Sequence, residues 1–250
     1  MLEVRDLTVR FSGLTAVNGL SFSVQRGEVL TLMGPNGAGK TTAFNAIGGF
    51  VPMAQGHVAF KDQPITGLRP AQIAALGIRR TFQNNGILRE MSVLENVLTG
   101  LELDTPSTFW GCVTRWPASD RAERAATGRA RAMLDKMGIA DLADRPAGDL
   151  SFGQQRLVEI ARAMVAGAEL IMLDEPAVGL SPGDRLHLGE SLRDLAAEGI
   201  AILLVEHVQD LVMAVSDQVL VLNYGEKIAQ CPPGEIRNNK HVLEVYLGHA

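Results

Sequence analysis

The sequence predicts an α/β fold: a buried parallel sheet, a small antiparallel sheet beside it, and a helical insert in mid-chain. Three observations predict it. Glu28 to Met33 is an apolar run of strand length that leads into the glycine-rich stretch Gly34-Pro35-Asn36-Gly37-Ala38-Gly39-Lys40-Thr41. Leu170 to Leu173 and Ile200 to Val205 are two more unbroken apolar runs, the mark of strands buried on both faces. From Asn84 to Leu150 strand patterns give way to turn residues and helix caps.

The first 25 residues alternate over Leu2–Phe11 and Leu20–Val24, with Gly13 and Asn18-Gly19 between them. Gly56 to Phe60 adds a third short strand, and together these predict the antiparallel sheet. After the glycine-rich stretch, Thr41 to Ile47 is of helical character and Gly48-Gly49 ends it. Pro70 to Leu76 predicts a short helix, and Ile78 to Phe82 a strand that stops at Gln83. Ser92-Val-Leu-Glu95 is a capping box, opening a helix that Gly100 closes. Residues 101–119 show no periodicity, and Asp120 to Glu123 caps an Arg/Ala-rich helix reaching Met137. Ser151 opens a helix to Met164, and Ser181-Pro182 one to Glu198. A hairpin is expected around Asn223-Tyr224-Gly225, then short helices at Gly234–Arg237 and Val242–Tyr246.

Composition narrows the class. A chain of 250 residues with 46% hydrophobic content can bury one substantial core. The net charge of −5 argues against a general nucleic-acid binder. No apolar run reaches the roughly 18–20 residues that cross a bilayer, and Met1 to Asp6 lacks the apolar centre of a signal peptide. Cys112 and Cys231 match no metal-ligand spacing and read as reduced thiols of a cytosolic protein.

Residues 34–41 fit G-x-x-x-x-G-K-[ST], the phosphate-binding loop of nucleotide hydrolases. Its glycines allow backbone N–H groups to turn inward around phosphate oxygens, and the helix from Thr41, with Thr42 behind it, adds its partial positive charge. Lys40 can reach the β- and γ-phosphates, while the Thr41 hydroxyl ligates Mg²⁺. Asp174 and Glu175 follow an apolar strand, so strand alternation sends one to the metal and its neighbour to the attacking water. Asp174 is the expected metal ligand and Glu175 the general base or orienting group for the attacking water. His207 ends the next buried strand, and Gln83 ends another; either position can face the γ-phosphate, with Gln83 a further candidate for Mg²⁺ or for water. Ser151, Gly153 and Gln154 form a helix start without a catalytic group, an anion site suited to a nucleotide bound by a second copy. Phe11 has two readings that spacing leaves open, core residue or adenine platform.

These residues, in this order, resemble the ATP-binding subunits of ABC transporters over nearly the whole chain. The matching motifs are the Walker A loop at 34–41, Gln83, the signature at Leu150 to Gln154, Walker B at 170–175, the D-loop near 178–182, and His207. The resemblance implies a RecA-like core with an antiparallel β subdomain, over residues 1–83 and 151–250, and a helical subdomain over 84–150. It implies ATP and Mg²⁺ as ligands, and adenine stacking for Phe11. It also implies a head-to-tail pair of ATPase subunits in which Ser151 and Gly153 meet the partner's nucleotide. Permease subunits, and indirectly a solute-binding protein, complete the assembly at the cytoplasmic face of the membrane. Arg80 to Asn84, Glu90 to Asn96, Leu150 to Arg156 and Glu244 to Gly248 are similar to the branched-chain amino acid uptake group, implying an importer for those or other hydrophobic amino acids. Rival readings are urea or other solute uptake, lipid export, and a soluble ATPase of repair or translation. Phe152, Gln155, Ser181 and Val208-Gln209 depart from the commoner family residues, and none of these is Lys40, Asp174, Glu175 or His207.

Overall fold

The computed structural model describes residues 1–81, 86–101, 117–236, 239 and 241–242, with the backbone alone given for 117–121. The chain divides into two compact units: Met1–Arg80, Glu169–Val178 and Leu192–Ala250 form the first, Thr81–Ala168 and Gly179–Ser191 the second.

The first unit holds two sheets. Its strands are β1 (Leu2–Phe11), β2 (Leu14–Val24), β3 (Val29–Met33), β4 (Gln55–Phe60) and β5 (Gln63–Pro64). They continue with β6 (Ile78–Arg80), β7 (Leu170–Asp174), β8 (Ala201–Val205), β9 (Gln218–Asn223) and β10 (Glu226–Cys231). The smaller sheet runs β2-β1-β4-β5, antiparallel at every pairing. The larger runs β10-β9-β3-β8-β7-β6, parallel except for the β9–β10 edge. Every residue of β3, β7 and β8 is buried, which is why, apart from Thr31 and the terminal Asp174, these strands are apolar throughout. Helix α1 (Lys40–Ile47) buries Phe44 and Ile47 in a core shared with Leu2, Leu7 and Leu20 of the small sheet and Leu32 and Leu203 of the large one. The glycine-rich loop is thus fastened at both ends, to a fully buried strand and to a helix wedged into the core.

Strand β2 begins six residues before the expected Leu20. Its register shifts against β1 between the pairs Leu7–Leu20 and Val9–Val17, with Gly19 at a φ of 62°. Asn18-Gly19 is therefore a bulge inside a continuous strand, because glycine relieves the bulged conformation without ending the ladder. In the first unit, α2 (Pro70–Ala75) precedes β6 as expected.

The second unit contains α3 (Val93–Leu98), α4 (Pro117–Lys136) and α5 (Phe152–Met164), mutually packed. Helix α4 starts at Pro117 rather than Asp120, since a proline suits the first helical turn. The close approach of α3 to α5 needs Gly100: a Cβ there would lie 2.1 Å from the Arg162 carbonyl oxygen. The chain returns to the first unit at Glu169 rather than at the expected residue 151, because α5 packs onto α3 and α4. The remaining helices are α6 (Pro182–Ala197), α7 (Gln209–Val215) and α8 (Pro233–Ile236). Of the expected helix from Val242 to Tyr246 only Val242 is among the described residues, and Gln83 lies outside them. Among the described residues, no helix is long and apolar enough to cross a membrane.

Asn96 on α3 is fully buried. Its amide donates to the carbonyls of Leu88 (2.9 Å) and Ser92 (3.0 Å), and its Oδ1 accepts the Leu88 N–H at 2.8 Å. Removing that side chain deletes its hydrogen bonds to the backbone of residues 88 and 92 and leaves a void at a fully buried position. Asn96→Ala is expected to cost about 2 kcal/mol, read as a lower urea midpoint.

Candidate functional site

The parallel strands all end on one edge of the large sheet, and the functional side chains follow those ends. Leu32 pairs with Val205 and Asp174 with Val205, so the exits of β3, β7 and β8 are adjacent. Ligand sites of open α/β sheets form outside such carboxyl ends.

From Met33 the chain turns at Gly34, whose φ is 146° and where a Cβ would fall 2.1 Å from the Leu222 carbonyl oxygen of β9. At the far end Gly39 adopts φ 98° and caps α1, with the Ala16 carbonyl where a side chain would begin. No other residue type fits either position. Inside the loop, the Lys40 ammonium donates to the carbonyls of Gly34 (2.7 Å) and Pro35 (3.0 Å). Burial pushes its pKa below the ordinary lysine value, while the charges of Glu175 and Asp174 push it back up.

A cleft of about 510 Å³ opens over the loop. Residues 36–42 form its floor, so Asn36, Gly37, Ala38, Gly39, Lys40, Thr41 and Thr42 all face it, and Glu175 stands at its side. Phe11, Leu14 and Tyr224 supply apolar wall. Both aromatic rings are largely exposed, so neither is a core residue. Gly34 and Pro35 underlie the floor through their carbonyl bonds to Lys40.

Asp174 ends β7 almost fully buried. Its Oδ2 lies 3.4 Å from the Arg80 guanidinium, and its Oδ1 has no hydrogen-bond partner among the described residues. Burial raises its pKa above the ordinary carboxylate range, partly offset by Arg80. Arg80 also donates to Asn45 Oδ1 at 2.5 Å, and its face covers the Phe44 and Phe50 rings at 4.6 and 5.0 Å. A buried carboxylate oxygen that lacks a donor, beside a hydroxyl-bearing phosphate loop, is the donor set a hard divalent cation takes.

Glu175 is not a strand residue. It adopts φ 47°, and its N–H donates to the Val205 carbonyl at 2.8 Å. The left-handed turn, and not strand alternation, therefore aims its carboxylate at the cleft. Its Oε1 lies 3.7 Å from His207 Nδ1, so the two predicted catalytic groups meet.

In the second unit, the Ser151 hydroxyl caps α5 by accepting the Gln154 N–H at 3.2 Å, and the Gln154 side chain accepts the Ser151 N–H at 3.0 Å. Gly153 is packed so closely that a Cβ would lie 2.4 Å from the Asp184 carboxylate. Phe152 is exposed at the same helix start.

Sequence reasoning did not single out Arg80, Tyr224 or Glu206. Arg80 is the last residue of β6, and Glu206 directly follows an apolar strand; charges at buried strand ends are the available signal. Tyr224 carried none, since turn aromatics are ordinary.

The ABC transporter family model matches residues 17–178. The chain is 41% identical to the high-affinity branched-chain amino acid transport ATP-binding protein LivG of Escherichia coli strain K12, over 100% of the chain and 98% of that protein. It is likewise 41% identical to the corresponding protein BraF of Pseudomonas aeruginosa, with the same coverage. Among solved structures, it is similar to the ADP conformation of an ATP-binding cassette of an ABC transporter, with a TM-score of 0.85, 32% identity, and coverage of 99% and 98% of the two chains. A nucleotide-free cassette matches with a TM-score of 0.84 and 34% identity, covering 98% of each chain. The cleft, its strand-end acids and this full-length likeness together make the chain an ATP-binding cassette belonging to the ABC transporter family.

Proposed function

We propose that this chain is the ATP-hydrolysing subunit of an importer for branched-chain or other hydrophobic amino acids. The observation that carries the cargo assignment is the 41% identity, over the full chain, to proteins described as branched-chain amino acid transport ATP-binding proteins. The chemistry rests on the meeting of Glu175 and His207 beside the phosphate loop.

In this reading the triphosphate of ATP lies along residues 34–41, with Lys40 leaving the Gly34 and Pro35 carbonyls for the β- and γ-phosphates. Phe11 stacks on the adenine. Thr41, Asp174 and Gln83 would hold Mg²⁺, which when bound would neutralise charge developing on the phosphate oxygens. Glu175 orients a water and takes its proton as the water oxygen bonds to the γ-phosphorus. The bond to the β-phosphate oxygen breaks, and ADP and phosphate leave. His207 donates to the γ-phosphate and steadies Glu175. Ser151, Gly153 and Gln154 serve the nucleotide of a second ATPase subunit, identical or paralogous. Closure of that pair moves permease subunits at the cytoplasmic face of the membrane, which take the solute from a binding protein. Each nucleotide state favours a different arrangement of the same pair, which couples chemistry to transport.

Glu175→Gln is expected to retain ATP binding and to lose turnover by roughly 10²–10⁴-fold. Phosphate release by the purified protein measures it; near-normal turnover would remove Glu175 from the base role. For the cargo, uptake of radiolabelled leucine and valine by source cells carrying Lys40→Ala is expected to fall to background, with the protein level unchanged. Normal uptake in cells lacking any redundant importer would move the cargo to another solute class.

A further inference from the structure

Glu206 is fully buried at the exit of β8, and no lysine or arginine among the described residues pairs with it. Its carboxylate is instead filled by backbone. Oε1 accepts the N–H groups of His207 (2.8 Å) and Val208 (3.0 Å), and Oε2 accepts the N–H of Ala177 (3.1 Å). The imidazole Nδ1 of His207 lies 3.6 Å from the same Oε1. Ala177 is two residues beyond Glu175 on the chain that leaves β7. One carboxylate therefore joins the two segments that carry the Glu175–His207 pair.

The β7 exit is held on both sides of Glu175. Before it, Asp174 is in register with Val205, and the Glu175 N–H bonds the Val205 carbonyl; after it, Ala177 bonds Glu206. A left-handed residue between two fixed points has little freedom to re-aim. Burying a carboxylate is costly unless every lone pair is used, and here the three N–H groups of two separate segments use it. A neutral side chain could not do the same. Glutamine would turn an N–H of its own toward one of the donors, releasing one segment.

We infer that Glu206 is a positioning residue: it sets the separation of Glu175 and His207, and so controls the rate of hydrolysis without touching nucleotide. This rests on the catalytic roles given to Glu175 and His207 above. The experiment measures kcat and KM for ATP hydrolysis by Glu206→Gln, alone and combined with His207→Ala. Displacement of a catalytic group by about 1 Å costs on the order of 10²-fold, so Glu206→Gln is expected to lower kcat roughly 10–100-fold. KM should stay within about twofold. In the His207→Ala background the same change should add less than about twofold, because the pair it positions is already gone. A purely structural role would give equal losses in both backgrounds and overturn the inference, as would unchanged kcat or a loss confined to KM. Should Glu206→Gln not fold, Glu206→Asp replaces it; the shorter carboxylate keeps the charge but cannot span both segments, and the same kcat loss is expected. If Glu175→Gln and His207→Ala alone turn over normally, the catalytic assignment fails and takes this inference with it. If they are inactive while Glu206→Gln is not, this inference alone fails.

Discussion

The parallel ladder of β3, β8 and β7 is the constraint on which the rest depends. Because Leu32, Val205 and Asp174 stand in one register, three chain segments emerge side by side: the phosphate loop, the His207 segment and the Glu175 turn. Residues 34–39, the Glu175 turn and the His207 segment have no helix or strand of their own. Their positions are inherited from strands buried on both faces, whose fixed register sets where each exit falls. Loops carry the chemistry because the strands leave them no other place to be.

That placement concentrates unusual electrostatics at one edge. Asp174 is buried, lacks a donor at Oδ1, and shares only a long contact with Arg80. Lys40 is buried among carbonyls that a phosphate would outcompete. Both groups are held in environments that disfavour their charged forms, by desolvation in each case. An anionic phosphate and a divalent cation are the partners that would favour the charged forms of Lys40 and Asp174. Arg80 moderates this on the Asp174 side, and its stacking on Phe44 and Phe50 keeps the guanidinium at hand without a tight ion pair.

Much of this was legible in the sequence, for identifiable reasons. The phosphate loop, the apolar strands and the caps at Ser92 and Ser151 are local signals, each fixed by its own residues. The end of β7 was legible as to residue type but not direction: Glu175 was expected to point by strand alternation, and a left-handed turn points it instead. Such a turn depends on the Val205 carbonyl of another strand, which no window around residue 175 contains. Asn18-Gly19 was read as a break for the same reason, since only pairing with β1 distinguishes a bulge from a turn. Arg80 and Glu206 were missed because their significance lies in what they touch. The helical unit extends past the expected Leu150 because α5 packs against α3 and α4, a tertiary fact. Local chemistry is readable from a chain; pairing between distant segments is not.

The left-handed Glu175 shows how stability and chemistry are traded in this site. A non-glycine residue in that region costs about 1–3 kcal/mol, and continuing the strand would avoid the cost. The pleat, however, would place the next carboxylate on the face of the sheet opposite Asp174, inside the core rather than over the loop. Leaving the strand one residue after Asp174 keeps both acids at the same edge, one buried beside Arg80 and the other lining the cleft. Glycine would take the turn without strain but offers no carboxylate. The strain accompanies the turn that keeps both acids at one edge, and the hydrogen bonds from Glu175 to Val205 and from Ala177 to Glu206 hold it in place.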